Sequence, residues 1–190
     1  MTLQEKITSI QTEISRLLQK KPSLVVALDG RCASGKTTLA AAMEREYGYA
    51  VVHMDDFFLQ PGQRTEERLA IPGENVDHER FSAEVLAPLL GGRQVIYRPF
   101  SCQTMSMGEP VMLHRATVTV VEGCYACHPS LRERYDLRVF LDVDRRIQLE
   151  RIMVRNGPEG AEVFRRKWIP LEERYFSALN IPANCDLILK

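Results

Sequence analysis

The chain has 190 residues, 45% hydrophobic and 26% charged, with 25 Lys plus Arg balanced by 25 Asp plus Glu. That length suits one domain with a proper core, and zero formal net charge leaves no cationic excess for sequence-independent binding of nucleic acid. No stretch approaches the roughly 18 consecutive apolar residues of a membrane span, so neither nucleic acid nor membrane is an expected partner.

The first residues place apolar side chains at helical spacing (Leu3, Ile7, Ile10, Ile14, Leu17, Leu18). This predicts a helix over about 3–20 that lays its isoleucine stripe on the edge of a sheet, with Lys21-Pro22 ending it. Lacking a continuous apolar core, the segment reads as neither signal peptide nor membrane anchor. A strand follows over 24–28 and runs through Asp29 into Gly30, then to Gly35-Lys36-Thr37. The spacing G-x-x-x-x-G-K-T between a strand and a helix is the phosphate-binding pattern. Gly30 and Gly35 free the backbone so that successive N–H groups, through Ala33, Ser34 and Thr38, turn toward an anion. Lys36 adds a point charge for the β- and γ-phosphates, Thr37 a hydroxyl for Mg²⁺, and the helix N-terminus its partial positive charge.

After that helix, Gly48 punctuates a short strand over 50–53 ending in Met54-Asp55-Asp56-Phe57-Phe58. Acidic residues at the C-terminal end of a parallel strand lie where such sheets bind ligands, which makes Asp55 and Asp56 candidates for chemistry. Residues 60–75 are polar, broken by Pro61, Gly62, Pro72 and Gly73, and read as a long mobile loop. A helix over 79–90, capped near Asp77 and stopped by Gly91-Gly92, comes next. Residues 93–100 and 111–116 read as extended pieces. The β-branched run 117–121 reads as a central buried strand ending in Glu122. A short helix over 131–135, a strand over 137–141, a basic helix over 145–155, a break at Asn156-Gly157-Pro158, a helix over 161–175 and a strand over 186–189 complete the chain. Strands alternating with helices imply a parallel α/β sheet with helices on both faces.

Five cysteines (Cys32, Cys102, Cys124, Cys127, Cys185) fit a reducing compartment, so a cytoplasmic protein is expected. Cys124-Tyr-Ala-Cys127-His128 matches the C-x-x-C-H pattern of covalent haem attachment. It follows a buried strand in what reads as a nucleotide-binding domain, and nothing directs export. The plain expectation is a loop with two ordinary thiols, with a thiol-redox or zinc role as the alternative.

The segments ALDGRCASGKTTLA, VHMDDFFL, NVDHERF, VTVVEGCY and LDVDRRIQLERIMVRN occur in consistent order. Together they resemble the uridine kinase family of P-loop kinases, close to the nicotinamide riboside and pantothenate kinases. The resemblance implies a single P-loop nucleoside triphosphate hydrolase fold of about five parallel strands. Within it would lie a phosphate loop at 30–37, an acceptor-side insertion at about 56–116 and a lid at about 151–166. It implies an ATP- and Mg²⁺-dependent kinase acting on a hydroxyl of a small molecule, in the first place a nucleoside. By the same resemblance Asp55 is the base for that hydroxyl, Asp77 holds ribose hydroxyls, and Tyr97 and Phe100 pack on the nucleobase. Glu122 would sit near Mg²⁺ or the substrate. Arg151 and Arg155, one turn apart on a helix face, would close on the transferring phosphoryl group, with Arg165 and Arg166 as an extension of the lid.

The residues alone leave alternatives open: Asp55 as a helix cap or outer-sphere metal partner, Asp77 as an N-cap, Tyr97 and Phe100 as core, and the arginines as a solvated face. Cys102-Gln103-Thr104 stand where the family carries a base-contacting His and Arg, so nicotinamide riboside, pantothenate or a sugar remain alternative acceptors. A GTP-dependent switch would need N-K-x-D and D-x-x-G segments, which are absent. A non-catalytic nucleotide-binding domain conflicts with the intact Lys36, Thr37, Asp55 and Glu122. A homo-oligomer, built on the first helix, stays open.

Overall fold

The computed structural model describes residues 1–190. Five strands form one parallel sheet: β1 (Leu24–Gly30), β2 (Ala50–His53), β3 (Val118–Glu122), β4 (Leu137–Leu141) and β5 (Leu187–Leu189), in the order β2-β3-β1-β4-β5. Every residue of β1 and β3 is buried, which is why both read as unbroken apolar runs. The register sets Leu28 and His53 beside Glu122, and Gly30 beside Leu141. The strand ends that carry Asp29, Asp55 and Glu122 therefore meet at one edge of the sheet.

Side-chain alternation sends Val26, Leu28, Val120 and Val139 to one face, under helices α1 (Leu3–Leu18) and α2 (Lys36–Tyr47). Ile7, Ile10 and Ile14 are buried there, and each contributes roughly 1.5–3 kcal/mol of apolar burial. The first helix thus covers the sheet's face rather than its edge, because its stripe is wide enough to pack on β1, β4 and α2 together. A reciprocal cap starts it: the Glu5 amide donates to Thr2 Oγ1 at 3.2 Å and the Thr2 amide to Glu5 Oε2 at 2.7 Å.

On the other face Val25, Ala27, Val52 and Val121 pack against α3 (residues 78–90) and α5 (Ile169–Ala178), with Phe57, Phe81, Tyr175 and Phe176 filling the layer. The strand-like pieces of the insertion form two short antiparallel ladders, Ile96–Tyr97 with Val111–Met112 and Phe100–Ser101 with Ser106–Met107. The stretch 60–75, expected as a structureless loop, holds helical turns at Pro61–Gln63 and Glu66–Leu69. Arg68 ties it down by pairing with Glu74 at 3.2 Å and Glu79 at 2.7 Å.

Two prolines shape the helices. Pro88 and Pro170 cannot donate a backbone N–H, and a π-turn precedes each, at Ser82–Leu86 and Phe164–Trp168. The residue before each proline reaches back five positions, Ala87 to Ser82 and Ile169 to Phe164, so the helix shifts its ladder instead of stopping. Gly157, at φ 69° and ψ 178°, breaks α4 (Arg145–Val163), and Pro158 reopens it.

Candidate active site

The loop from β1 to α2 builds the centre of the site. Ala33 (φ 58°) and Gly35 (φ 99°) take left-handed backbone angles that turn the chain around an open concavity. The amides of Gly35, Lys36, Thr37 and Thr38 donate to no protein acceptor, and the buried Ser34 Oγ has no partner. Orphan amides converging at a helix N-terminus form a site for an anion such as a phosphate. The Lys36 ammonium spans the loop, donating to Gly30 O at 2.7 Å and Arg31 O at 2.9 Å. Gly30 itself does not line the concavity; its requirement comes from β4, because an added Cβ would lie 2.1 Å from Leu141 O.

A cleft of about 570 Å³ opens over this loop, and Asp55, Glu122, Arg151 and Arg155 line it together with residues 33–38. Asp55, solvent-accessible at the cleft, stands on the single turn Met54–Phe57 that follows β2. Desolvation by the surrounding walls and then the Glu122 carboxylate raise its pKa, while Lys36 and His53 oppose them. Glu122 Oε1 accepts from Thr37 Oγ1 at 3.1 Å and His53 Nδ1 at 2.6 Å; its second oxygen takes no protein donor. That bond to Glu122 raises the His53 pKa against the opposing effect of burial. The Thr37 hydroxyl with the Glu122 carboxylate is an all-oxygen donor set, which fits a hard cation such as Mg²⁺. Arg151 leans from α4 onto the loop, with Nη1 donating to Ala33 O at 3.0 Å, and Arg155 packs over the Phe164 ring at 5.3 Å.

Besides Gly30, five predicted residues lie outside the cleft. Asp77 is buried, capping α3 by accepting from the Arg80 amide at 3.0 Å and from Gln63 Nε2 at 2.8 Å. Tyr97 is buried with its hydroxyl donating to Asp56 Oδ2 at 3.1 Å, and Phe100 is buried beneath the Arg64 guanidinium. Arg165 and Arg166 both pair with Glu162 and do not line the cleft.

Several groups that hold the site went unread in the sequence. Asp29, wholly buried at the end of β1, accepts from the amides of Gly30 (2.6 Å), Tyr125 (3.2 Å) and Cys127 (2.8 Å) and from Tyr175 Oη (2.8 Å). Burial raises its pKa and these donors oppose the rise; four donors around an acceptor-only group suit the ionised form. Glu172 on α5 accepts the Cys32 amide at 2.9 Å, and Gln148 on α4 donates to Cys32 O at 3.1 Å, so both helices clamp the loop. The signal for Asp29 was a lone carboxylate inside an apolar strand; for Glu172 and Gln148 there was none. Of the C-x-x-C-H cysteines, Cys127 Sγ lies 3.9 Å from Cys185 Sγ; that contact and then burial push the Cys127 thiol well above its usual pKa, and burial does the same for Cys124. His128 stacks on His78 with ring centroids 4.3 Å apart.

No family model matches the chain. It is 30% identical over 151 residues to mouse uridine-cytidine kinase-like 1, a match covering 74% of this chain and 28% of that protein. It is 29% identical over 150 residues to the uridine kinase of Halalkalibacterium halodurans, covering 72% and 68% of the two chains. Among solved structures, a possible uridine kinase from Bacillus stearothermophilus superposes with a TM-score of 0.73 at 21% identity, covering both chains completely. No helix is long and apolar enough to cross a membrane.

Proposed function

For a chain related in sequence to uridine kinases and sharing the P-loop kinase fold, we propose an ATP- and Mg²⁺-dependent phosphotransferase acting on a hydroxyl of a small molecule. The observation that carries this reading is the placement of Asp55 in one cleft with a phosphate-type loop whose amides lack acceptors. In phosphoryl transfer the protein's work is positioning and charge stabilisation, and this cleft carries groups for both.

The loop amides and Lys36 bind the phosphate tail and hold the terminal phosphoryl group toward Asp55. Thr37 Oγ1 and Glu122 would hold Mg²⁺, which would supply charge neutralisation on the phosphate oxygens and leave the Asp55 carboxylate free for the acceptor. The Asp55 carboxylate orients the acceptor hydroxyl and takes its proton as the new P–O bond forms. The raised Asp55 pKa, set first by desolvation and then by the Glu122 carboxylate, makes its carboxylate a better proton acceptor than an ordinary aspartate. Arg151 and Arg155 approach the phosphate loop from α4, where guanidinium groups can follow charge moving onto the leaving oxygens. The hydrogen bond from His53 fixes the Glu122 carboxylate in place.

The relatives' names favour a nucleoside acceptor. A second reading, a non-nucleoside polyol or hydroxy acid, is favoured by the burial of Asp77, Tyr97 and Phe100 away from the cleft. Incubating the protein with ATP, Mg²⁺ and a panel of nucleosides, sugars and hydroxy acids tests both. Phosphorylated uridine or cytidine supports the first, a phosphorylated sugar or acid supports the second, and no product from any acceptor contradicts the kinase reading.

A further inference from the structure

The outer wall of the cleft comes from an unexpected place. Leu3 and Lys6, one turn apart on α1, line it together with Thr38, Leu39 and Arg151. Lys6 makes no ion pair and its ammonium donates no hydrogen bond; Arg151 pairs with no carboxylate and bonds only to a carbonyl oxygen. Partial burial and then the Arg151 charge lower the Lys6 pKa. Two unpaired cations beside a ring of acceptorless amides repel each other unless an anion lies between them.

We propose that Lys6 is a phosphate-tail contact, which makes α1 part of the donor-nucleotide site as well as a cover for the sheet. The proposal rests on the phosphotransferase reading. The placement supports it: α1 packs directly on α2, so Lys6 flanks the first turn of the helix that receives the phosphates. The sequence gives Lys6 no such role, because it sits among ordinary helix-surface charges far from the loop motif.

Equilibrium binding of ATP, inorganic tripolyphosphate and adenosine to the wild type, Lys6→Gln and Lys6→Arg tests the idea. Removing one charge from an anion site of this kind is expected to weaken ATP and tripolyphosphate about tenfold, a change of ~1.4 kcal/mol. Adenosine affinity should not change, and Lys6→Arg should stay near wild type. The ligand-free unfolding midpoint of Lys6→Gln should not fall, since the substitution removes a repulsion and no internal bond. Unchanged ATP affinity in Lys6→Gln beside a wild type that binds ATP overturns this role for Lys6 and leaves the kinase reading standing. Equal losses for adenosine and ATP overturn it too, since shape rather than charge would then be at work. A wild type that binds neither ATP nor tripolyphosphate defeats the kinase reading and the Lys6 contact together.

Discussion

The two glycines of the phosphate-loop pattern do different work, and substituting each by alanine separates them. Gly30 has φ 139°, and a Cβ there would lie 2.1 Å from Leu141 O, 2.7 Å from Leu141 N and 2.8 Å from Leu141 C. All three are backbone atoms of the paired strand β4, so no side chain can swing aside. The backbone angle costs roughly 1–3 kcal/mol for a residue with a side chain, and displacing β4 about 1–3 kcal/mol more. The total of about 2–6 kcal/mol is a large share of the ~5–15 kcal/mol that stabilises a domain. Gly35 has φ 99° but an added Cβ meets nothing within 4 Å. Gly35→Ala therefore carries only the backbone cost, about 1–3 kcal/mol, and its main effect falls on the amides that face the cleft. Urea unfolding should show Gly30→Ala as the less stable variant, with a thermal midpoint lower by about 5–20 °C. Gly35→Ala should unfold closer to wild type and lose ATP affinity. If Gly30→Ala unfolds within about 0.5 kcal/mol of wild type, the close approach of β1 and β4 is not what selects glycine there.

Acid should destabilise the protein through His128. Burial and the neighbouring His78 hold its pKa down to about 4, so the folded state favours the neutral ring fully above pH 6.5. Between pH 6.5 and 4 the unfolded chain gains a proton that the folded chain refuses, and about 3 kcal/mol of stability is lost. Chemical denaturation at pH 7 and 4.5 should show His128→Gln losing less than the wild type over that window; equal losses would exclude His128 as the cause. Tyr175→Phe removes one of the four donors to the buried Asp29 and should cost about 1–3 kcal/mol by urea unfolding. An unchanged midpoint would mean that Asp29 does not need the phenol.

Much of this was legible because burial writes itself into composition. Strands β1, β3 and β4 are covered on both faces, so Leu24, Val120 and Val139 sit in apolar runs that ordinary loops do not contain. The phosphate loop is local, and its glycines, lysine and threonine stand in sequence order. Asp77 and Gly91 mark the ends of α3 because capping is also local. What was not legible depends on distant partners. The isoleucine stripe of α1 shows that one face is buried but not that β1, β4 and α2 cover it. Polar, proline-broken residues 60–75 read as loop, yet Arg68 bonds them to Glu79 on the next helix. Asp77 carried two compatible meanings in the sequence, ribose contact and helix cap, and its hydrogen bond from the Arg80 amide makes it the cap. Glu172 reaches the Cys32 amide across 140 positions of chain, and no spacing rule foresees such a contact.

On the proposed reading, the carboxyl of Asp55 assists transfer from a nucleotide held by the loop beside it. Single-turnover transfer from ATP, measured for wild type and Asp55→Asn beside their ATP affinities, tests this most directly. Affinity is expected within a few-fold of wild type, with a transfer rate lower by about 100-fold or more. A variant that transfers phosphoryl groups at a near-normal rate would contradict it.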